Sequence, residues 1–498
     1  MKSGIRHLFL LLSLLLSLVA CDSDEPDNII RMGLTTAPTN LDPRFATDAV
    51  SSRINRLLYR RMVEFDDSGM PIPSLASWEQ ITPTHYRFTL LDRGRVFHNG
   101  KRLVAKDVKA SYDSILDPKT ASPHRSTVEV IERIEIAGDE QIDYYLKRPD
   151  SLFPGYLHIG VLPADLIAQK HPFNTNPVGS GGFSFSKWSQ QGVPQLIRVR
   201  DQQPFEFLPV QDPSVRILKL LRGEIDMLQN DLPPELMAYL DGKEGINIQK
   251  RPGNNFSYLG FNLQDEITGQ HKIRQAIAMG IDRASIIRHF LQDGARPAQA
   301  LLPPRHWAGA KGLKPIAFEP EQARAILKEL GYSQQNPLRI TYKTSTDPFR
   351  VRLATLIQSQ LAQIGIEVEV QSHDWGTFYG DVKSGRFQLY SLAWVGIKTP
   401  DIFRYVFHSN STPPDGANRG RFRSEIVDLF IDRAEATSDF EQKAQHYQRL
   451  QEQLLQELPY IPLWYEDHLF ISRDAVTGYK LASDGNYDGL EYVLKKIK

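Results

Sequence analysis

Residues 338–370, LRITYKTSTDPFRVRLATLIQSQLAQIGIEVEV, change their hydrophobic period twice, and those changes decide the fold class. From Leu338 to Thr344 apolar and polar residues alternate, the period of a half-buried strand. From Arg352 to Ile364 the spacing becomes helical: Leu353, Leu356, Ile357, Leu361 and Ile364 fall on one face. Gly365 stands where a helix stops in the left-handed conformation, and Ile366, Val368 and Val370 resume the alternation. Strand, helix and strand in this order predict a βαβ unit with a buried parallel pair.

The same mixture continues on either side. Ser438 and Glu441 read as a capping box opening a long helix. Phe440, Ala444, Tyr447, Leu454 and Leu458 mark one side of that helix, and Pro459 stops it. Ile273–Met279 reads as helix, as does Arg283–Leu291 after an N-cap at Asp282. No fixed-period repeat or low-complexity block interrupts the chain, which excludes solenoids and propellers. The expected body is α/β, with mixed sheets flanked by helices. Beyond residue 20 the chain is long enough for two or three domains of roughly 150 residues each.

The N-terminus has a different logic. Lys2 and Arg6 precede an apolar run, Leu8–Ala20, broken only by Ser13 and Ser17. The run is shorter than the ~20 apolar residues a spanning helix needs, and acidic sequence follows at once, so it predicts a secretory signal over 1–20. Leu18-Val19-Ala20-Cys21 resembles the lipobox of bacterial lipoproteins, in which the cysteine thiol carries lipid. Cys21 is the chain's only cysteine and has no internal disulfide partner; the plainer alternative is an ordinary signal peptide cut after Ala20. Asp22 resembles an inner-membrane retention signal. The expected location is the periplasmic space, anchored to the inner membrane by lipid at Cys21, with 21–28 as lipidated residue and acidic tether. The 59 basic and 59 acidic residues balance, so no basic surplus argues for nucleic acid.

A series of short strings then carries more than periodicity. In order they are Asn40–Pro43, Leu58-Tyr59, Pro73–Trp78, Phe97–Gly100 with Ala105–Val108, Asn176–Phe183 with Trp188, and Gly223–Asp226. They continue through Tyr258–Asn262, Ile273–Ala276 with Ile281–Arg283, Ala323–Tyr332, Ile364–Ile366, Asp374–Gly376 and Pro459–Leu463. Each alone is weak, since Gly, Asn, Asp and Pro recur in turns everywhere. Together and in order they resemble the peptide-type (family 5) solute-binding proteins of ABC importers, across essentially the whole mature chain. The resemblance implies a two-lobed, periplasmic-binding-protein-like fold (type II, venus-flytrap) with an extra subdomain. Lobe I is expected from 29–65, 175–258 and 469–498, the subdomain from 66–174, and lobe II from 259–468. It also implies a monomer that closes over a solute and meets an ABC permease.

In peptide-binding members an aspartate three residues after a tryptophan receives the peptide's ammonium. The matching stretch here is Trp394-Val395-Gly396-Ile397, with Ile397 at the aspartate's place, followed by Lys398 and, further on, Asp401. The expected ligand-binding residues are Trp394, Val395, Gly396, Ile397 and Asp401, with Trp464 and Tyr465 after the Pro459–Leu463 segment. For these two rings, core packing is the competing reading. Arg419, Arg421 and Arg423 read as a solvated loop, with a carboxylate or phosphate partner as the alternative. His98, within Phe97–Gly100, reads as structural, and Gly179–Gly182 as a turn, lacking the Lys-Ser/Thr of a phosphate loop.

No cofactor, metal site or catalytic residue is expected: HExxH, GxSxG and CxxC patterns are missing from the sequence. The expected function is capture of a peptide or peptide-like solute for a permease. The alternatives are the same role for a cell-wall fragment, metal chelate or other solute, and, in another class, an exported hydrolase or envelope chaperone.

Overall fold

The computed structural model describes residues 28–189, 192–333, 335–414 and 416–496; the leader, Cys21 and most of the tether lie outside the described residues. Residues 338–370 form the expected unit: strand Leu338–Ser345, helix Pro348–Ala362 and strand Ile366–His373. The strands run parallel, in register from Leu338 opposite Ile366 to Ser345 opposite His373. Asp347 caps the helix by accepting from the Arg350 amide, and Pro348 occupies its first turn, where a missing N–H costs nothing. Gly365 has φ of +90°, ending the helical segment as its position predicts. Leu353, Ile357 and Leu361 are fully buried beneath the sheet.

The long C-terminal helix spans Phe440–Glu457, but its N-cap is Asp439, not Ser438: the Asp439 carboxylate accepts from the Gln442 amide. Two capping residues side by side compete for one geometry, and the carboxylate is also stabilised by the positive end of the helix dipole. Phe440 stays largely exposed, against Trp307 at a centroid distance of 4.6 Å, while Ala444, Tyr447 and Leu454 are buried as expected. The Asp282 cap also forms, accepting from the Ser285 amide. The turns after it widen from α-helical over Arg283–Ser285 to π-helical over Ile286–Phe290.

Among the described residues eleven strands join in one sheet. Its spine is an antiparallel pair, Ile246–Phe261 and Tyr460–Arg473, registered from Ile246 opposite Arg473 to Gly260 opposite Tyr460. Met227–Gln229 and Ile30–Leu34 extend the sheet at one end. At the other end Leu389–Trp394 links the spine to the βαβ unit. The pairing is irregular between Arg251 and Asn255, where Pro252 and Gly253 stand; one lost donor and one missing side chain loosen the ladder there. A second sheet orders Ala76–Thr82, His85–Leu90, Gln141–Leu146 and Ile131–Ala137. It packs its own core around Phe88, Tyr112, Tyr144 and Phe153.

Gly179 and Gly181 show why that turn needs glycine: a Cβ at either would come within 2.0 Å of the Leu58 or Leu57 carbonyl. His98 lies against the same turn, its Nε2 3.1 Å from the Gly181 carbonyl oxygen, so the ring ties two loops together. No helix among the described residues is long and apolar enough to cross a membrane.

Candidate functional site

Strand Leu389–Trp394 pairs antiparallel with the spine and ends at Trp394, whose Cα partner is Phe256. Gly396, with φ of +71°, then turns the chain out of the sheet. Trp394 is half-buried and Val395 exposed, while Ile397 packs against the apolar cluster containing Phe403, Tyr447 and Tyr465. Trp464 is not brought to this place. Adjacent strand residues face opposite sides of a sheet, so Tyr465 joins the Trp394 cluster while Trp464, 1 % exposed, joins the core around Leu338 and Ile340. Tyr465 is itself buried, its hydroxyl donating to the Ala300 carbonyl at 2.5 Å.

Arg419 is the residue that sequence reading placed wrongly in a solvated loop. It is only 9 % exposed, and its guanidinium lies 4.8 Å from the Trp394 ring centroid and 5.3 Å from that of Tyr379. Its Nη1 donates to the Tyr258 hydroxyl and its Nη2 to the Tyr379 hydroxyl, each at 3.1 Å. The loop that delivers it is pinned by Asn418, whose amide donates to the His408 and Phe422 carbonyls and accepts from the Phe422 N–H. Gly420 passes so close to the Phe261 carbonyl that a Cβ would sit 2.6 Å away. Arg421 bonds the Lys383 carbonyl and Arg423 faces solvent. Trp394, Arg419, Tyr258, Tyr390, Phe407 and Tyr460 enclose much of a cavity of about 30 Å³.

Beyond Ile397 the loop reaches the other half of the molecule. Lys398 Nζ is 3.2 Å from Asp484 Oδ2 and 5.3 Å from the Phe65 ring centroid. Burial opposes ionisation of Asp484, but the Lys398 and Arg56 cations outweigh it and hold its carboxyl well below the usual range. The Lys398 carbonyl accepts from His306 Nε2 at 3.0 Å, and Asp67 bridges Arg251 and Ser483, each at 2.6 Å. Phe65 also lines a larger polar cavity of about 400 Å³, together with Arg56, Arg61, Glu64, Arg251 and Asp488. Surrounding protein, with Asp150 and Glu435 adding repulsion, pushes the Asp401 carboxyl up to about 6. Thr399 donates its hydroxyl to Asp401 Oδ1.

Asp484, Phe65, Tyr379 and Arg419 were missed or misread because their meaning is their position, and no local pattern announces it.

Residues 71–415 match the family described as bacterial extracellular solute-binding proteins, family 5 middle. The chain belongs to this family. Among its relatives is di/tripeptide-binding protein 2 of Pseudomonas aeruginosa (strain UCBPP-PA14), 26 % identical over 97 % of both chains. The structure is similar to that of NikZ from Campylobacter jejuni in complex with Ni(L-His): TM-score 0.81 at 25 % identity, covering 94 % of this chain and all of that one. DppA of Helicobacter pylori in complex with the peptide STSA matches with TM-score 0.79 at 24 % identity, over 94 % and 98 % of the two chains, a likeness of fold. The family-5 chain is therefore a two-lobed α/β protein of periplasmic-binding-protein type, and its family is a substrate-binding one.

Proposed function

We propose that this family-5 protein is the receptor of an ABC importer, capturing a peptide or peptide-like solute between its lobes and delivering it to a permease. The match of residues 71–415 to a solute-binding family carries the reading, and the di/tripeptide-binding relative points to the peptide class. The loop from Trp394 to Asp401 forms the lobe II wall, with Trp394, Val395 and Gly396 facing the solute and Asp401 at its end. Lobe I is 29–65, 175–258 and 469–498, lobe II is 259–468, and 66–174 is the subdomain. The irregular pairing at Arg251–Asn255, close to the 258/259 boundary, supports a hinge there. A solute touching both lobes favours the closed arrangement by its differential affinity, and no chemistry is required.

The mature chain is held at the periplasmic face of the inner membrane by lipid on Cys21. Two or three acyl chains, at ~0.8 kcal/mol per buried methylene, anchor firmly where one does not. Replacing Cys21→Ser moves the protein from the membrane to the soluble periplasmic fraction; a variant that still sediments with membranes rules out the anchor.

The receptor reading is tested by native mass spectrometry of protein purified from its own host, with release and identification of the bound molecule. A stoichiometric peptide is the expected result. Absence of any ligand, together with no thermal shift across a di- and tripeptide library, contradicts it, because a ligand at 100 times its Kd stabilises by ~2.7 kcal/mol.

A further inference from the structure

The protein's buried arginines divide into two kinds. Arg274, 5 % exposed, donates to the carbonyls of Thr268, Gly269, Glu457 and Leu458. Arg283, 7 % exposed, donates to those of Ala298, Pro462 and Ile316. Their N–H groups are spent on backbone oxygen, and their role is to staple segments. Arg419 is equally buried but meets phenol hydroxyls and two aromatic faces and, among the described residues, no carbonyl and no carboxylate. A guanidinium has five N–H donors in a planar fork matched to a carboxylate. A charge removed from water without a partner is costly, so an arginine held this way calls for an anion.

The surroundings supply what an anion needs. Tyr258 and Tyr379 accept from Arg419 through their oxygens; Tyr258 also shares one hydrogen with the Tyr390 hydroxyl 3.4 Å away, so that pair keeps one O–H free, and both of its residues line the cavity beside Arg419. The cavity that Arg419 lines measures about 30 Å³. A water needs ~10–15 Å³ on this measure, so two small polar atoms fit, the pair a carboxylate presents. Trp394 forms one wall, and the segment after it, Val395-Gly396-Ile397, carries no acid. The nearest cation along the chain, Lys398, is engaged by Asp484.

We propose that Arg419 is a specificity-determining residue: beneath the Trp394 ring it receives a carboxylate of the solute, with the free O–H of the Tyr258–Tyr390 pair completing the cradle. The inference rests on the receptor reading and narrows it: the group recognised at the Trp394 wall is anionic, and a free ammonium is repelled there. Solutes with a blocked amine and a free carboxylate are therefore accepted, whereas amidation of the carboxylate is not.

Acetate is the probe, because it tests the anion site without presuming a peptide. Tryptophan fluorescence of the purified mature protein is followed on titration with sodium acetate against sodium chloride at matched ionic strength. The expected response is saturable, at least about tenfold weaker in Arg419→Met, as for loss of a charge-assisted pair, and detectably weaker in the double variant Tyr258→Phe/Tyr390→Phe, which keeps the arginine and removes the hydroxyl donors. A parallel titration compares trialanine with its N-acetyl and C-amide forms; acetylation is tolerated and amidation weakens binding by roughly tenfold or more. No saturable acetate response in the wild type overturns the proposal, as does an undiminished response in Arg419→Met or, where that variant does not fold, in Tyr258→Phe/Tyr390→Phe. Amidated trialanine binding as tightly as the free acid overturns it too. A persistent, Arg419-dependent acetate response with no binding of any peptide supports the anion site and removes the peptide reading instead.

Discussion

Trp394 is half-buried, with the Arg419 guanidinium 4.8 Å from its ring centroid and the Tyr405 ring packed edge-on at a centroid distance of 6.3 Å. Such a ring offers a flat apolar wall with a polar margin, and removing it exposes the cation beneath to water. Trp394→Ala is expected to weaken solute binding by roughly tenfold or more, as for an aromatic anchor, while thermal unfolding stays cooperative. Calorimetric titration with the released native ligand checks it, and unchanged affinity removes Trp394 from the site. The sequence singled out Trp394 because a motif marked it. Arg419 carried no such mark: three arginines spaced by two look like a solvated loop, and only the Asn418 hydrogen bonds turn the first inward. Trp464 shows the reverse failure, since a strand's alternation sends it to the opposite face from Tyr465.

Element identities were legible wherever a hydrophobic period ran for a dozen residues, as in 338–370, because side-chain burial on one face is a local requirement that tertiary context only has to accept. Element ends were less legible, since several capping residues stand near them. Ser438 and Asp439 make the point: both are good N-caps, and the backbone selects Asp439. Asp439→Ala should therefore cost about 1 kcal/mol in urea unfolding, whereas Ser438→Ala stays within about 0.5 kcal/mol, as at an ordinary surface position. Equal losses would show that the two share the cap. The widening of the turns after Asp282, where Ile286 and Ile287 are buried, had no sequence signal.

Over the whole molecule, acid is the expected weakness. Burial pushes the His158, His306 and His468 rings down to about 4. His306 ties the Lys398 loop in place, and His468 lies on the spine strand. In the unfolded chain such rings take up a proton near pH ~6.5, so as pH falls from there toward 4 the unfolded state binds more protons and folding stability drops. Between pH 7 and pH 5 the loss is on the order of 2 kcal/mol per ring. Asp401 acts in the opposite sense: raised to about 6, it contributes stability at low pH that is lost as pH rises through that value. The lowered rings, His98 and His124 among them, outnumber the raised carboxyls of Asp107, Asp150 and Asp401, so the net is a fall, read as a lower urea midpoint at pH 5 than at pH 7. An unchanged midpoint would mean that these rings are hydrated in solution.

The sequence by itself determined the α/β class, the βαβ unit and the family, because periodicity and ordered turn motifs are written in residues close together along the chain. It also marked Cys21 and the Trp394 segment as the places to look. Only the tertiary structure decided that Arg419 stands under Trp394, that Lys398 reaches Asp484, and that Trp464 belongs to the core. Such meetings join residues far apart along the chain, as Arg419 and Tyr258 are, at 161 positions. The energy that fixes them, burial of a charge against rings and hydroxyls, exists only once the chain has folded around it.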